Sequence, residues 1–217
     1  MSEFAEARKS MVLSQLQPDR VSDGRIREAM ADVPREKFVP DQLKSVSYVD
    51  EDIEIKSGRY LMEPRVFARL LQAAEVGMNE VVLDIGCGTG YSSAIISRLA
   101  RTVVALESDQ ELRHQAQENL EHLCINNVAM MEGDLTRGFV DEAPYDIVFI
   151  NGAVTNVPVA LTEQMADGGR LVTVIKNDGV GSGTLLTVRD GQISSTSLFD
   201  AQVQYLIGFK SKAGFVF

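Results

Sequence analysis

Val82-Leu83-Asp84-Ile85-Gly86-Cys87-Gly88-Thr89-Gly90-Tyr91 is the stretch of the sequence that decides the fold. Its apolar start is too short for a buried helix and suits a buried β-strand, and the glycines that follow suit a tight turn into a helix. Such a turn lets a ligand lie against bare backbone at the carboxyl edge of a parallel sheet. The stretch therefore predicts the first strand of an α/β sheet with a ligand site beside it.

Short apolar runs rich in β-branched residues recur after residue 80. They lie at 81–83, 103–106, 128–131, 147–150 and 171–175, with helical stretches at 92–100, 111–123 and 158–165 between them. This alternation is typical of a doubly wound, mostly parallel sheet covered on both faces. Asp190-Gly191 then separates two further strand-like runs, 184–188 and 193–198. We therefore expect the sheet to end in an antiparallel hairpin.

The first 79 residues have a different pattern. Helical spacing of apolar residues predicts helices over 4–16, 23–30 and from Pro64 to a stop at Gly77. The segment 37–62 between them carries a run of acids and reads as a loop with at most short strands. We expect an N-terminal helical extension in front of the sheet.

The charge balance of the chain disfavours several partners. Its 21 Lys and Arg residues against 31 Asp and Glu residues give a net charge of −10, which repels nucleic acid. No apolar stretch approaches the roughly 20 residues of a membrane span, and Glu3, Glu6, Arg8 and Lys9 interrupt any signal peptide. We expect a cytoplasmic protein without a nucleic-acid or membrane partner, and nothing in the sequence specifies an oligomeric state.

The sequence has few of the residues that a metal site or a catalytic triad requires. His114 and His122 are the only histidines, and Cys87 and Cys124 are the only cysteines. Their neighbours show no metal-ligand spacing. We therefore predict no metal site and no Ser-His-Asp triad.

The spacing of the glycines separates two classes of nucleotide ligand. A dinucleotide site needs G-x-G-x-x-G to bring a pyrophosphate onto a helix N-terminus, whereas this chain has G-x-G-x-G with Asp84 two residues before it. A carboxylate there repels a pyrophosphate and attracts a cationic amino group. S-adenosylmethionine, with an ammonium, a sulfonium and no phosphate, is the better electrostatic match.

Two further acids follow the next two strands. Glu107 can accept hydrogen bonds from both ribose hydroxyls, and Asp134 can hold the adenine amino group. The alternative is that each acid only caps the helix after it. Because the acids converge on the glycine turn, we predict a cofactor site. Its residues are Asp84, Gly86, Cys87, Gly88, Gly90, Glu107, Ser108, Asp134 and Leu135.

Several motifs resemble those of the protein-L-isoaspartate O-methyltransferases. They are the stretches 33–40 (VPREKFVP), 132–134 (EGD), 143–146 (APYD) and 168–172 (GGRLV), together with the glycine turn. The match runs in register from about residue 10 to 175. It implies a Rossmann-like seven-stranded methyltransferase fold that uses S-adenosylmethionine to methylate isoaspartyl carboxylates in damaged proteins. On this resemblance we expect a single domain, 1–217, with a substrate-side region (1–79) and a cofactor-binding sheet core (80–217).

The chain departs from this family in the substrate half. Members carry Gly-x-Thr-Ile-Ser-Gln-Pro, whose serine hydroxyl lies beside the transferred methyl and the substrate carboxylate. Here the stretch 58–64 reads GRYLMEP, so Met62 replaces the serine and cannot donate a hydrogen bond. Leu135 stands where the family usually has a glycine, and Asn151-Gly152 where it usually has Thr-Ala.

Methyl transfer to a carboxylate sets modest demands on the protein. A carboxylic acid is already ionised at pH 7 and needs no general base, so the site must mainly align the reacting atoms. The candidates for this catalytic role are Met62 with the backbone N–H groups of 61–63, Tyr60, Arg59 and Asn151. Arg59 can pair with a carboxylate through two hydrogen bonds, or make only a surface salt bridge.

Two other functions stay open at this point. The chain can be a divergent relative that binds S-adenosylmethionine but methylates another acceptor or acts as a non-catalytic binding module, as Met62 and Glu63 suggest. An NAD-dependent oxidoreductase is the other alternative, and the glycine spacing disfavours it.

Overall fold

The computed structural model describes residues 3–177 and 179–210. Its helices are α1 (Glu3–Met11), α2 (Gly24–Asp32), α3 (Pro64–Ala74), α4 (Tyr91–Ile96), α5 (Gln110–His122) and α6 (Val159–Thr162). Its strands are β1 (Ile53–Lys56), β2 (Arg59–Leu61), β3 (Val81–Ile85), β4 (Thr102–Glu107), β5 (Val128–Glu132), β6 (Tyr145–Val154), β7 (Met165–Ile175), β8 (Gly181–Arg189) and β9 (Gln192–Ala201). The predicted sheet core also includes residues 211–217, which lie outside the described part of the chain.

The main sheet has seven strands in the order β5-β4-β3-β6-β7-β8-β9. Strands β3 to β7 run parallel, and β8 and β9 are antiparallel to their neighbours. The predicted doubly wound sheet with a C-terminal antiparallel hairpin is thus confirmed. The chain order reverses between β3 and β6, and ligands bind at the carboxyl edge of such a switch point.

Alternate residues of the central strands face opposite apolar layers. Val82 and Phe149 lie on the face covered by α3, α4 and α5. Leu83 and Ile150 lie on the other face with Leu161 of α6 and with Leu206. Because both faces are covered, the strands are almost continuously apolar.

The N-terminal region differs in detail from the prediction. α1 ends at Met11 and continues as a π-turn over Val12–Leu16, and α3 ends in a left-handed residue at Glu75 rather than at Gly77. One 3-10 turn, Asp41–Val46, and the β1–β2 hairpin lie within the predicted loop, and a second 3-10 turn, Arg35–Lys37, ends where that loop begins. Among the described residues, no helix is both long and apolar enough to span a membrane.

The chain after β9 returns across the carboxyl edge of the sheet. Residues 202–209, here called the C-terminal segment, pair with the end of β6. The N–H of Ala153 donates to the carbonyl of Gln204 at 2.8 Å, and the N–H of Leu206 donates to the carbonyl of Ala153 at 2.9 Å. This segment therefore lies beside the glycine turn.

Candidate active site

The glycine turn after β3 has a backbone that only glycine adopts readily. Gly86, Gly88 and Gly90 have φ values of 71°, 57° and 93°, in the left-handed region. A Cβ at Gly90 would lie 3.1 Å from the Cβ of Ala116 in α5. The turn thus fixes the start of α4 closely against α5.

Asp84 lies fully buried beneath this turn, near the end of β3. Its Oδ2 accepts hydrogen bonds from the hydroxyls of Ser92 (2.7 Å) and Ser93 (2.5 Å), and its Oδ1 from the Asn151 amide (2.6 Å). Burial raises the pKa of Asp84, and the three hydrogen bonds oppose that rise. The carboxylate joins α4 to β6, and protein groups occupy its oxygens.

Glu107 ends β4 and is also fully buried. Its Oε2 accepts from the N–H of Gly88 (2.8 Å), and its Oε1 from those of Ser108 (2.8 Å) and Asp109 (3.0 Å). Arg59 donates to both oxygens, from Nη1 at 2.5 Å and from Nη2 at 2.6 Å. The Arg59 side chain is only 5% exposed, so this is a buried, two-pronged ion pair and not a surface salt bridge.

Burial and ion pairing act in opposite directions on the pKa of Arg59. Burial lowers this pKa, and the hydrogen bonds to Glu107 raise it, with a net rise. The guanidinium therefore stays charged, and it is directed at a residue predicted to bind cofactor rather than at a substrate.

The third strand-end acid, Asp134, is exposed just beyond β5. Its Oδ1 accepts from the N–H (2.8 Å) and the hydroxyl (2.7 Å) of Thr136, and these bonds lower the pKa of Asp134. Leu135 beside it is buried in the apolar layer with α6. Cys87 is buried too, and burial raises the pKa of its thiol well above the usual value. The side chain of Ser108 is exposed.

The predicted catalytic residues lie together around one small cavity. Arg59, Tyr60, Met62 and Asn151 all line it, and its volume is about 10 Å³. The remaining lining residues are Asp52, Gly58, Gly152, Val203, Gln204, Tyr205 and Leu206. The β1–β2 hairpin, the end of β6 and the C-terminal segment therefore meet at this point.

Several polar groups of these residues already have partners in the protein. The Asn151 amide nitrogen donates to Asp84 and, at 3.1 Å, to the carbonyl of Ile85. The N–H of Glu63 donates to Oδ1 of Asp52 at 2.9 Å. The carbonyl of Met62 accepts from Nη2 of Arg35 at 2.8 Å. The last two bonds hold Met62 and Glu63, in the loop after β2, in place.

The sequence model of the family "Protein-L-isoaspartate(D-aspartate) O-methyltransferase (PCMT)" matches residues 7–206 of this chain. The chain belongs to this family. A protein-L-isoaspartate O-methyltransferase of Koribacter versatilis is 35% identical over 205 residues, 94% of this chain and 92% of the relative. A "Protein-L-isoaspartate O-methyltransferase 2" of Marinobacter nauticus is 36% identical, over 95% of each chain.

Solved structures of the protein-L-isoaspartate O-methyltransferase family have the same fold. One with that title superposes with a TM-score of 0.80 at 26% identity, over 93% of this chain and 66% of the other. A putative family member from Plasmodium falciparum, solved with S-adenosyl-L-homocysteine, has a TM-score of 0.78 at 21% identity and covers 92% of this chain and 97% of that one. The predicted family, fold and methyltransferase class are confirmed, and the family match extends beyond the predicted limit near residue 175.

Several residues that shape this candidate site were not predicted from the sequence. Leu206 and Ile55 cover the glycine turn, and Asp52 accepts from the N–H of Gln204 at 2.7 Å. No motif marks Leu206 or Ile55, because their contacts depend on where distant segments fold. The sequence gives a weak signal for Ser92 and Ser93, because hydroxyls in the first turn of a buried helix need hydrogen-bond partners.

Glu63, in the loop after β2, gives this protein a pH-dependent stability. Burial raises the pKa of Glu63 to about 7, and the negative charge of Asp50 adds to the rise. An acid whose pKa is higher in the folded state binds more protons there, so the free energy of unfolding falls as pH increases from about 4.5 to about 7. The fall is at most about 3.5 kcal/mol, since each pKa unit corresponds to ~1.4 kcal/mol.

We therefore expect Glu63→Gln to flatten the dependence of stability on pH between 5 and 8. Urea unfolding of both proteins at each pH unit measures this difference. The exposed neighbour Glu51, changed to glutamine, is the matched control and should keep the wild-type slope. Equal slopes for the wild type and Glu63→Gln would contradict the assignment.

Proposed function

We propose that this protein transfers the methyl group of S-adenosylmethionine to isoaspartyl carboxylates in damaged peptides and proteins. The observation that carries the proposal is the family match over residues 7–206. It spans the glycine turn, the three strand-end acids and the cavity at Arg59. The reaction is a protein-repair methylation, and the partner is an isoaspartyl-containing chain.

The residues at this edge of the sheet fit the cofactor chemically. Gly86 and Gly88 contribute no side chains of their own to the turn, Glu107 has a carboxylate that suits ribose hydroxyls, and Asp134 presents an exposed carboxylate. The cofactor supplies a methyl group on a positively charged sulfur, which suits an acidic cleft. We assign its binding to the full predicted set. That set is Asp84, Gly86, Cys87, Gly88, Gly90, Glu107, Ser108, Asp134 and Leu135.

These residues contribute in different ways. Asp84 is buried, so we assign it an indirect role in which it fixes the conformation of the glycine turn. Asn151 positions Asp84, because its amide donates a hydrogen bond to the Asp84 carboxylate. Leu135 and Cys87 are buried and shape the floor of the cleft.

The substrate carboxylate needs orientation and exclusion of water. Met62 is 4% exposed and forms an apolar wall of the cavity that keeps water from the reacting atoms. The hydroxyl of Tyr60 and, once free of Glu107, the guanidinium of Arg59 are the donors that orient an incoming carboxylate. No base is required, because the acceptor is ionised at neutral pH.

We also infer a single domain over 1–217, in which residues 1–79 form the substrate side and 80–217 the cofactor-binding core. The apolar layer that joins α1, α2 and α3 to the sheet supports this inference. A cytoplasmic location is consistent with two free cysteines, Cys87 and Cys124. The net charge of −10 argues against nucleic-acid and membrane-surface partners.

Radiolabelled methyl transfer to an isoaspartyl peptide tests the proposed function. We expect incorporation that is released as methanol by mild base, as a methyl ester requires. The control is the same peptide with an ordinary aspartyl residue, which should take up no label. Absence of label in the isoaspartyl peptide would reject the proposed acceptor.

Met62 distinguishes this function from the alternative of a divergent binder. Met62→Ser adds a hydroxyl, and Met62→Ala removes a similar volume without one, so comparing them isolates the hydroxyl. Both should lose about 2–4 kcal/mol of stability through lost burial. If the wild type is active as proposed, the two variants should have kcat values within about threefold of each other. An inactive wild type with activity restored only by serine would instead support the divergent binder.

A further inference from the structure

The carboxylate of Glu107 has no acceptor position left for a ligand in this conformation. A carboxylate offers about four lone-pair positions. Glu107 accepts from three backbone N–H groups and from both Nη atoms of Arg59. The two bonds from Arg59 are the only ones that a side-chain movement can release, one on each oxygen.

The face of the glycine turn is covered as well. The Cδ1 atom of Leu206 lies 2.7 Å from the position of a Cβ at Gly86, and that of Ile55 lies 2.8 Å from the same position at Gly88. The cavity lined by Arg59 and Leu206, at about 10 Å³, has room for about one water molecule. Side chains of the protein therefore occupy the surface that a nucleoside ligand needs.

The covering residues belong to two connected segments. Ile55 and Arg59 lie on the β1–β2 hairpin, and Leu206 lies on the C-terminal segment. Asp52, at the start of the hairpin, accepts from the N–H of Gln204 in that segment. The hairpin and the segment thus close over the turn together, and the Arg59–Glu107 pair is a buried charged contact between the hairpin and the cleft.

We propose that Arg59 is an internal competitor for the cofactor, holding on Glu107 the hydrogen-bonding positions that the ribose hydroxyls require. This inference rests on the proposed function, because it takes S-adenosylmethionine as the ligand. The cofactor binds only when Arg59 leaves Glu107, so the ion pair lowers cofactor affinity. Both charged groups are buried, so separating them opposes binding.

The competition predicts a gain of affinity on removing Arg59. We expect Arg59→Gln to bind S-adenosylhomocysteine about tenfold more tightly than the wild type, measured by isothermal titration calorimetry. The control is Lys56→Gln on the same hairpin. Lys56 pairs at the surface with Asp109 (2.7 Å) and Glu111 (2.8 Å), and surface pairs contribute little, so its affinity should stay within twofold.

A second variant covers failure of Arg59→Gln to fold. Arg59→Lys keeps the positive charge but cannot donate to both carboxylate oxygens in the two-pronged geometry, so it should also bind more tightly, by a smaller factor. Unchanged or weaker binding by the folded variants, with a wild type that binds, would overturn the competition and leave the proposed function intact. Binding by the Arg59 variants but not by the wild type would strongly support the competition. Absence of binding by every protein would reject the cofactor assignment and this proposal with it.

Discussion

Glu107→Gln is expected to lower the free energy of unfolding by about 3–5 kcal/mol, the range for breaking a buried ion pair from one side. The substitution leaves the guanidinium of Arg59 in a site where it is 5% exposed and without a counter-charge. It also replaces one carboxylate oxygen, which accepts from backbone N–H groups, with an amide nitrogen, which can only donate. Urea unfolding followed by circular dichroism measures the loss.

Two comparisons distinguish the loss of the Arg59–Glu107 ion pair from the loss of a charge in general. Lys56→Gln, which breaks partly exposed ion pairs of the same hairpin, should cost no more than about 1 kcal/mol. Combining Arg59→Gln with Glu107→Gln should cost at least about 2 kcal/mol less than the sum of the single changes, because the pair is already broken in each. A loss below about 1 kcal/mol for Glu107→Gln would refute the buried-pair account.

Asp84→Ala is expected to cost a similar amount, about 3–5 kcal/mol. Each of the three donors loses a buried acceptor, at roughly 1–3 kcal/mol per unsatisfied group before relaxation. Ser92, Ser93 and Asn151 are those donors. Because they connect α4 to β6, we also expect at least tenfold weaker binding of S-adenosylhomocysteine. Thermal unfolding and calorimetry measure the two effects.

Asp84→Asn is the conservative comparison. The serine hydroxyls can rotate to accept from the new amide, so the expected cost is only about 1–2 kcal/mol. Similar losses for alanine and asparagine would show that the charge of Asp84, rather than its hydrogen bonds, holds the turn.

The sheet was predictable because its pattern is local. The apolar runs at 81–83 and 103–106 are followed by a glycine turn or an acid, and buried parallel strands need that composition. Helix ends were less predictable. α4 stops at Ile96 although the predicted helix runs to residue 100, and β7 begins at Met165, where a helix was predicted. Tertiary packing decides such boundaries, and the sequence pattern does not contain it.

The edge of the sheet at which the three acids lie could be predicted from the sequence, and their hydrogen-bond partners could not. Strand-end position alone placed Asp84, Glu107 and Asp134 at one edge of the sheet. The pairing of Glu107 with Arg59 depends on a hairpin whose approach to the sheet no spacing rule describes. Arg59 was predicted to face a substrate carboxylate, and in the structure it is paired with a carboxylate of the protein itself.

The position of Leu206 near the end of the sequence determines when its contact with Gly86 can form during synthesis. Synthesis proceeds at about 5–20 residues per second from the N-terminus, so Gly86 is made well before the segment that covers it. The contact between Leu206 and Gly86 can therefore form only after synthesis has passed residue 206. It forms later than the other contacts of the glycine turn described above, since Ile55, Ala116 and Asn151 all precede Leu206 in the chain.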